Sequence, residues 1–251
     1  MTYEQKIRRF YAPDLRAATV ALPEQEAHHA RTVLRVRPGQ TVELFDGSGR
    51  SAQGTVAHLG RGEMTVDVEQ LHPPTALPDP PVHVAFAVPK GKRLDWLLEK
   101  CTELAACRLT PVVFERSVAG GNELKPSKRT RWAGHCISAA KQCGLNHLPE
   151  LGEPTDLPDL LEQAAESLLL VGDLTEATQP LGRAVAQRQP GQAITLLIGP
   201  EGGLSDAERR QCESAGALPV RLGSTILRIE TAAVALLAGV RAVAESANGT
   251  R

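Results

Sequence analysis

Aromatic side chains are scarce in this chain: two Trp, two Tyr and four Phe in 251 residues. A core of ordinary size must then be built mainly from Leu, Val and Ala, which the 42% hydrophobic content allows. Cysteine is sparse too. Cys101, Cys107, Cys136, Cys143 and Cys212 form no C-x-x-C pair and no metal-ligand spacing. That excludes a disulfide framework and a zinc-type cluster, and an odd, scattered set fits reduced thiols in a cytoplasmic chain. Long apolar runs are missing. The longest, from Ala232 to Val240, is far too short to span a bilayer, and the opening residues MTYEQKIRRFYAPDL hold no apolar core of a secretory signal. A soluble cytoplasmic protein with no membrane partner and no metal is expected.

An excess of one charge is absent as well. The formal net charge is −1; residues 1–72 carry nine Lys/Arg and nine Asp/Glu, and residues 82–251 carry nineteen of each. A nucleic-acid partner would need local basic clusters rather than a cationic domain. Two exist: Lys90, Lys92 and Arg93, and then Arg116, Lys125, Lys128, Arg129 and Arg131 set against Glu115 and Glu123.

What the chain does contain is a clear seam. Residues 73–81, PPTALPDPP, place five prolines in nine positions, which rules out a helix or central strand and makes a semi-rigid linker. Before it, residues 1–72 read as β-rich, with alternating runs at 41–45, 54–59 and 64–68 and one helix near 23–36, a pattern for a small barrel. His28 and His29 on that helix point about 100° apart, and no carboxylate or Cys completes a ligand set. After the seam, residues 82–251 alternate strands (82–88, 109–114, 167–171, 193–198, 219–222) with helices (94–105, 129–142, 157–165, 206–215), so an α/β domain with a mainly parallel sheet is expected. A last helix, from Thr231 to about Glu245, is apolar on nearly every face and should be buried in a core or a subunit interface.

Two segments stand out chemically. In the first, the strand ending Leu196-Leu197-Ile198 runs into Gly199-Pro200-Glu201-Gly202-Gly203 and then a helix, with Ser205 as N-cap and Glu208 completing a capping box. Glycine at the carboxyl end of a strand lets backbone approach a ligand. The run matches neither G-x-G-x-x-G nor a P-loop, and Glu201 would repel an anion, so a neutral or cationic ligand fits better. In the second, Leu222-Gly223-Ser224-Thr225-Ile226-Leu227-Arg228-Ile229-Glu230-Thr231, two charges sit beside an almost uncharged helix. They are expected to be paired or to face a site.

GPEGGLSDAE at 199–208 followed by LGSTILRIETAAV at 222–234 resembles the paired signature of the ribosomal RNA small subunit methyltransferase E family, of the knotted SPOUT superfamily. Lys90-Gly91-Lys92-Arg93 with EKCTEL at 99–104, then Glu115-Arg116-Ser117-Val118, KQCG at 141–144 and LPE at 148–150, resemble its other blocks in order. Arg8-Arg9-Phe10, His29 with VLRV at 33–36, and LFDG at 44–47 resemble its N-terminal part. Leu145 and Ile229 depart from it, standing where arginine and threonine are commoner.

The resemblance implies a PUA-like RNA-binding β-barrel over 1–72 and a C-terminal SPOUT domain over 82–251, its parallel sheet tied in a trefoil knot. It implies a homodimer that binds S-adenosylmethionine through Leu170, Gly172, Leu197, Ile198, residues 199–203, Leu222, Gly223, Ile226, Leu227, Arg228 and Thr231. The methyl group would go to N3 of a uridine in 16S rRNA, within the assembled small subunit. The alternatives are a ribose 2′-hydroxyl as acceptor, or an assembly factor without catalysis. Uridine N3 loses its proton as it attacks, and charge spreads to O2 and O4. Arg228 is the expected cation, and Glu201 or Glu230 the proton acceptor. The N3 edge must be unpaired, so Arg8, Arg9, Arg35, Lys90, Lys92 and Arg116 are expected to hold the RNA.

Overall fold

A computed structural model describes residues 7–117, 125–175 and 177–248; Val118 and Glu123, named above, lie outside these described residues. The chain divides into two compact units, Met1–Leu77 with Ala140–Leu148, and Pro78–Ala139 with Pro149–Arg251. The first break falls inside the proline-rich stretch. The second departs from the linear division, because residues 140–148 group with the first unit.

The first unit holds β1 (Arg8–Tyr11), β2 (Thr19–Ala21), α1 (Glu24–Thr32), β3 (Thr41–Phe45), β4 (Ser51–Leu59) and β5 (Met64–His72). Its sheet runs β1-β3-β4-β5-β2, with β1 parallel to β3 and the other pairs antiparallel, so β1 and β2 end the order. Alternation explains the core: Phe10, Val42, Leu44, Val56, Met64 and Val66 turn inward onto Ala27 and Ala30 of α1. The β4–β5 register shifts at Gly54, where an added Cβ would stand 2.3 Å from the Asp67 carbonyl oxygen, so only glycine fits the bulge.

Residues 140–148 are held to this unit by polar contacts. Arg9 donates to the Ala140 carbonyl at 3.1 Å, to the Leu145 carbonyl at 3.4 Å and to the Asn146 side chain. Lys141 Nζ meets Glu26 Oε1 at 2.7 Å, and the other Glu26 oxygen accepts from Tyr11 N at 3.1 Å. Removing either member of this largely buried pair would leave an uncompensated charge.

The second unit follows as β6 (Val82–Ala87), α2 (Lys92–Glu103), β7 (Arg108–Val113), α3 (Pro126–Cys143, its last residues in the first unit), β8 (Glu150–Leu151), β9 (Thr155–Asp156), α4 (Leu157–Gln163), β10 (Leu168–Gly172), β11 (Gln179–Pro180), α5 (Leu181–Val185), β12 (Ile194–Ile198), α6 (Asp206–Ser214), β13 (Leu218–Arg221) and α7 (Ile229–Asn248). Among the described residues, eight strands form one wholly parallel sheet in the order β11-β13-β10-β12-β6-β7-β8, with β9 also on β7. The two-residue strands and α5 are too short for a hydrophobic period to announce them. Central strands are buried on both faces, as β12 is at every position.

Helix α7 is buried along Ile229, Ala233, Leu236, Leu237 and Val240, one stripe at helical spacing, and packs on β6, β12, α2 and α5. Its Arg241 donates to the carbonyls of Leu104 at 3.1 Å and Ala105 at 2.7 Å, satisfying the carboxyl end of α2. Ala105 there adopts φ 55°, a left-handed cap without glycine.

Candidate functional site

Three strand ends meet in register: Gly172 of β10 pairs with Ile198 of β12 and with Val220 of β13. Beyond them lies a cavity of about 320 Å³, at the carboxyl edge where parallel sheets bind ligands and within the size range of small-molecule sites. Its walls are the segments 172–174, 198–204 and 220–222 with Thr225, Ile226 and Leu227, and its floor is Ile229, Ala232 and Leu236 of α7. The mouth is apolar, since Leu174, Leu222, Ile226 and Leu227 are all exposed large hydrophobics. Backbone is available where the glycines stand. The 199–203 loop turns tightly, Gly203 N donating to Pro200 O at 2.8 Å with Gly203 at φ 68°.

Of the residues expected to bind a cofactor, Gly172, Ile198, Gly199, Pro200, Glu201, Gly202, Gly203, Leu222, Ile226 and Leu227 line this cavity. Leu170 and Leu197 do not; they are interior strand residues, fully buried. Gly223, Arg228 and Thr231 are exposed and outside the lining. The floor from α7 was missed. Ile229, Ala232 and Leu236 share one helical face, but nothing local shows what that face meets.

The three expected catalytic residues separate. Glu201 lines the cavity and pairs with Arg93 at 3.4 Å, both side chains well exposed. Arg228 ends the 222–228 segment: its carbonyl accepts from Ala232 N at 2.8 Å, starting α7, while its exposed guanidinium has no partner among the described residues. Glu230 does not reach the lining. It is 7% exposed, and one carboxylate oxygen lacks a hydrogen bond. Of the two expected proton acceptors, Glu201 is the one that lines the cavity.

Lys90, exposed in the turn after β6, Lys92, exposed as the first residue of α2, and Arg116, just past β7, follow the carboxyl ends of parallel strands, as the cavity segments do. Arg116 Nη1 donates to Gly202 O at 2.9 Å. In the first unit, Arg8 and Arg35 are exposed. Arg9 is not: its side chain is 6% exposed, bonded as above, 3.2 Å from Glu43 and stacked on Phe45. It is a structural residue, not a phosphate contact. A separate groove on this unit, missed from sequence, is lined by His28, Arg31, Thr32, Arg61, Glu24 and Gln25. Its arginines lie 30 positions apart, joined only by the fold, and neither has an ion-pair partner among the described residues. No group of three or more metal-binding side chains occurs among the described residues, and no helix among them is long and apolar enough to cross a membrane.

The class follows from two family profiles: the RNA methyltransferase domain matches residues 76–241, and the RNA methyltransferase PUA domain matches residues 22–69. Curated relatives named ribosomal RNA small subunit methyltransferase E are 34% identical in Mycobacterium bovis, over 91% of this chain and 87% of the relative, and 34% identical in Synechocystis, over 91% and 75%. The crystal structure of a ribosomal RNA small subunit methyltransferase E from Neisseria gonorrhoeae bound to S-adenosyl methionine superposes with a TM-score of 0.84 at 30% identity, covering 94% of this chain and 98% of that one. The chain belongs to the ribosomal RNA small subunit methyltransferase E family.

Proposed function

We propose that the protein transfers a methyl group from S-adenosylmethionine to N3 of a uridine in 16S rRNA, as a cytoplasmic homodimer acting on the assembled small subunit. The observation that carries this reading is the cavity at the three strand ends, in a chain of this family. Its residues suit the cofactor. Apolar side chains at the mouth can cover an adenine, exposed glycine backbone can pair with its polar edge, and Glu201 favours a cationic centre over an anion. When bound, the cofactor supplies an electrophilic methyl on a sulfonium. The chain's part is placement and charge: Arg228 offers donors to the uracil oxygens as N3 loses its proton, and Glu201 accepts that proton. The trefoil knot belongs to the same proposal, supported by the β13-β10-β12-β6 order and the return of α7 across β12 and β6. The half-buried remainder of α7, at Val234, Ala235 and Ala238, supports the homodimer.

The test is transfer of labelled methyl to naked 16S rRNA and to small subunits, with the modified nucleoside mapped by mass spectrometry. Methylation at a ribose hydroxyl, or none on either substrate, would overturn the reading.

RNA gripping by the first unit is assigned to Arg8, Arg35 and the groove of Arg31 and Arg61. Replacing Arg31 and Arg61 together by Ala should reduce the salt slope of RNA affinity by about 1.5 units, near two phosphate contacts. Cofactor affinity should stay constant. An unchanged slope would make these arginines merely solvated.

A further inference from the structure

The capping box at the start of α6 holds more than a helix cap. Glu208 is 7% exposed, and both its carboxylate oxygens accept main-chain N–H bonds. Oε2 takes Ser205 N at 2.7 Å, and Glu208 N donates to Ser205 Oγ at 3.3 Å, which completes the box. Oε1 takes Glu115 N at 2.8 Å, a bond spanning 93 residues that helix capping does not require. The next residue, Arg116, donates to Gly202 O, inside the cavity wall. The turn supplying both contacts is closed on itself: Phe114 N donates to Ser117 Oγ at 2.9 Å, Ser117 N donates to Phe114 O at 3.0 Å, and Phe114 is buried. One closed turn thus holds the 199–205 segment at two points, Gly202 directly and Ser205 through the Glu208 carboxylate. The sheet ladder cannot do this, because β7 and β12 are separated by β6.

We propose that the turn of Phe114, Glu115, Arg116 and Ser117 is a brace for the cofactor loop, with Glu208 and Arg116 as positioning residues. The inference rests on reading the cavity as the S-adenosylmethionine site. A loop that offers backbone to a ligand must be held to within about half an ångström, and side chains locked by their own hydrogen bonds do that. Glu208→Gln keeps the size of the side chain but turns one acceptor into a donor, which then faces a backbone N–H. Arg116→Ala removes the second hold from an exposed position, where folding is not at stake.

Calorimetry on the full chain tests the brace, with wild type measured first; if wild type binds no S-adenosylmethionine, the site reading fails rather than the brace. Glu208→Gln is expected to weaken cofactor binding about tenfold, as loss of a charge-assisted bond would, and Arg116→Ala several-fold. Single-turnover rates at saturating cofactor should stay within about threefold for Glu208→Gln. Ser205→Ala breaks only the hydroxyl side of the cap, so it should lower the melting temperature and leave cofactor affinity unaltered. The brace is overturned if Glu208→Gln and Arg116→Ala both bind cofactor within twofold of wild type. It is equally overturned if Ser205→Ala weakens binding as much as Glu208→Gln, since capping alone would then account for the loss. Should Glu208→Gln fail to fold, the Arg116→Ala affinity decides.

Discussion

Arg228→Ala should slow methyl transfer by roughly 100-fold to 1,000-fold, or about 3–4 kcal/mol, the usual loss when a donor to developing negative charge is removed. The structure sharpens this expectation. Arg228 is exposed and its guanidinium has no partner among the described residues, so it contributes no evident packing or ion pair to the fold. The variant should therefore melt within a degree or two of wild type, as surface substitutions do. Lysine keeps the charge without the planar fork, so Arg228→Lys should recover only part of the rate. The deficit should shrink as pH rises, because more uridine is then ionised before the enzyme acts and needs less help. Single-turnover rates across pH, beside melting curves, decide the matter. Early melting with a pH-independent deficit would make Arg228 a scaffold residue.

The second large effect is expected at the cavity floor. Ala232 sits one turn into α7, half-buried, and lines the cavity with Ile229 and Leu236. Leucine is a good helix former, so Ala232→Leu preserves the helix while filling ligand space. Overpacking of this kind costs about 1–3 kcal/mol, or roughly 5-fold to 150-fold in cofactor affinity. Ala242→Leu, on an exposed turn of the same helix, should bind cofactor normally. Equal affinities in the two variants would place the cofactor elsewhere.

Much of the site was legible because its signals are local. The S-x-x-E spacing of Ser205 and Glu208 announced a capping box that the structure contains, and glycines following an apolar strand announced a loop at the sheet edge. Arg9 shows where locality ends. Beside Arg8 in an exposed-looking N-terminal run, it reads as a phosphate contact, yet its partners Ala140, Leu145 and Asn146 lie 131, 136 and 137 residues away. Glu230 stays out of the cavity lining for a related reason. Its place beside the 222–228 segment was visible, but the inward turn of its side chain is set by the packing of α7. The floor of the cavity was hidden in the same way: periodicity defines a helical face without saying what stands opposite it.

The parallel order β13-β10-β12-β6 has a consequence for how the protein comes into being. Cavity walls from residues 172–174, 198–204 and 220–222 close over a floor that ends at Leu236. Pairings this distant in sequence form slowly and cannot begin until their later members exist. During translation, β6 and β7 can emerge and pair early, β10 and β12 can join once β12 is made, and the pocket waits for β13 and the first turns of α7. No nascent chain that stops before Leu236 carries the complete pocket, and losing the last helix would remove its floor although every glycine of the loops remained in the sequence.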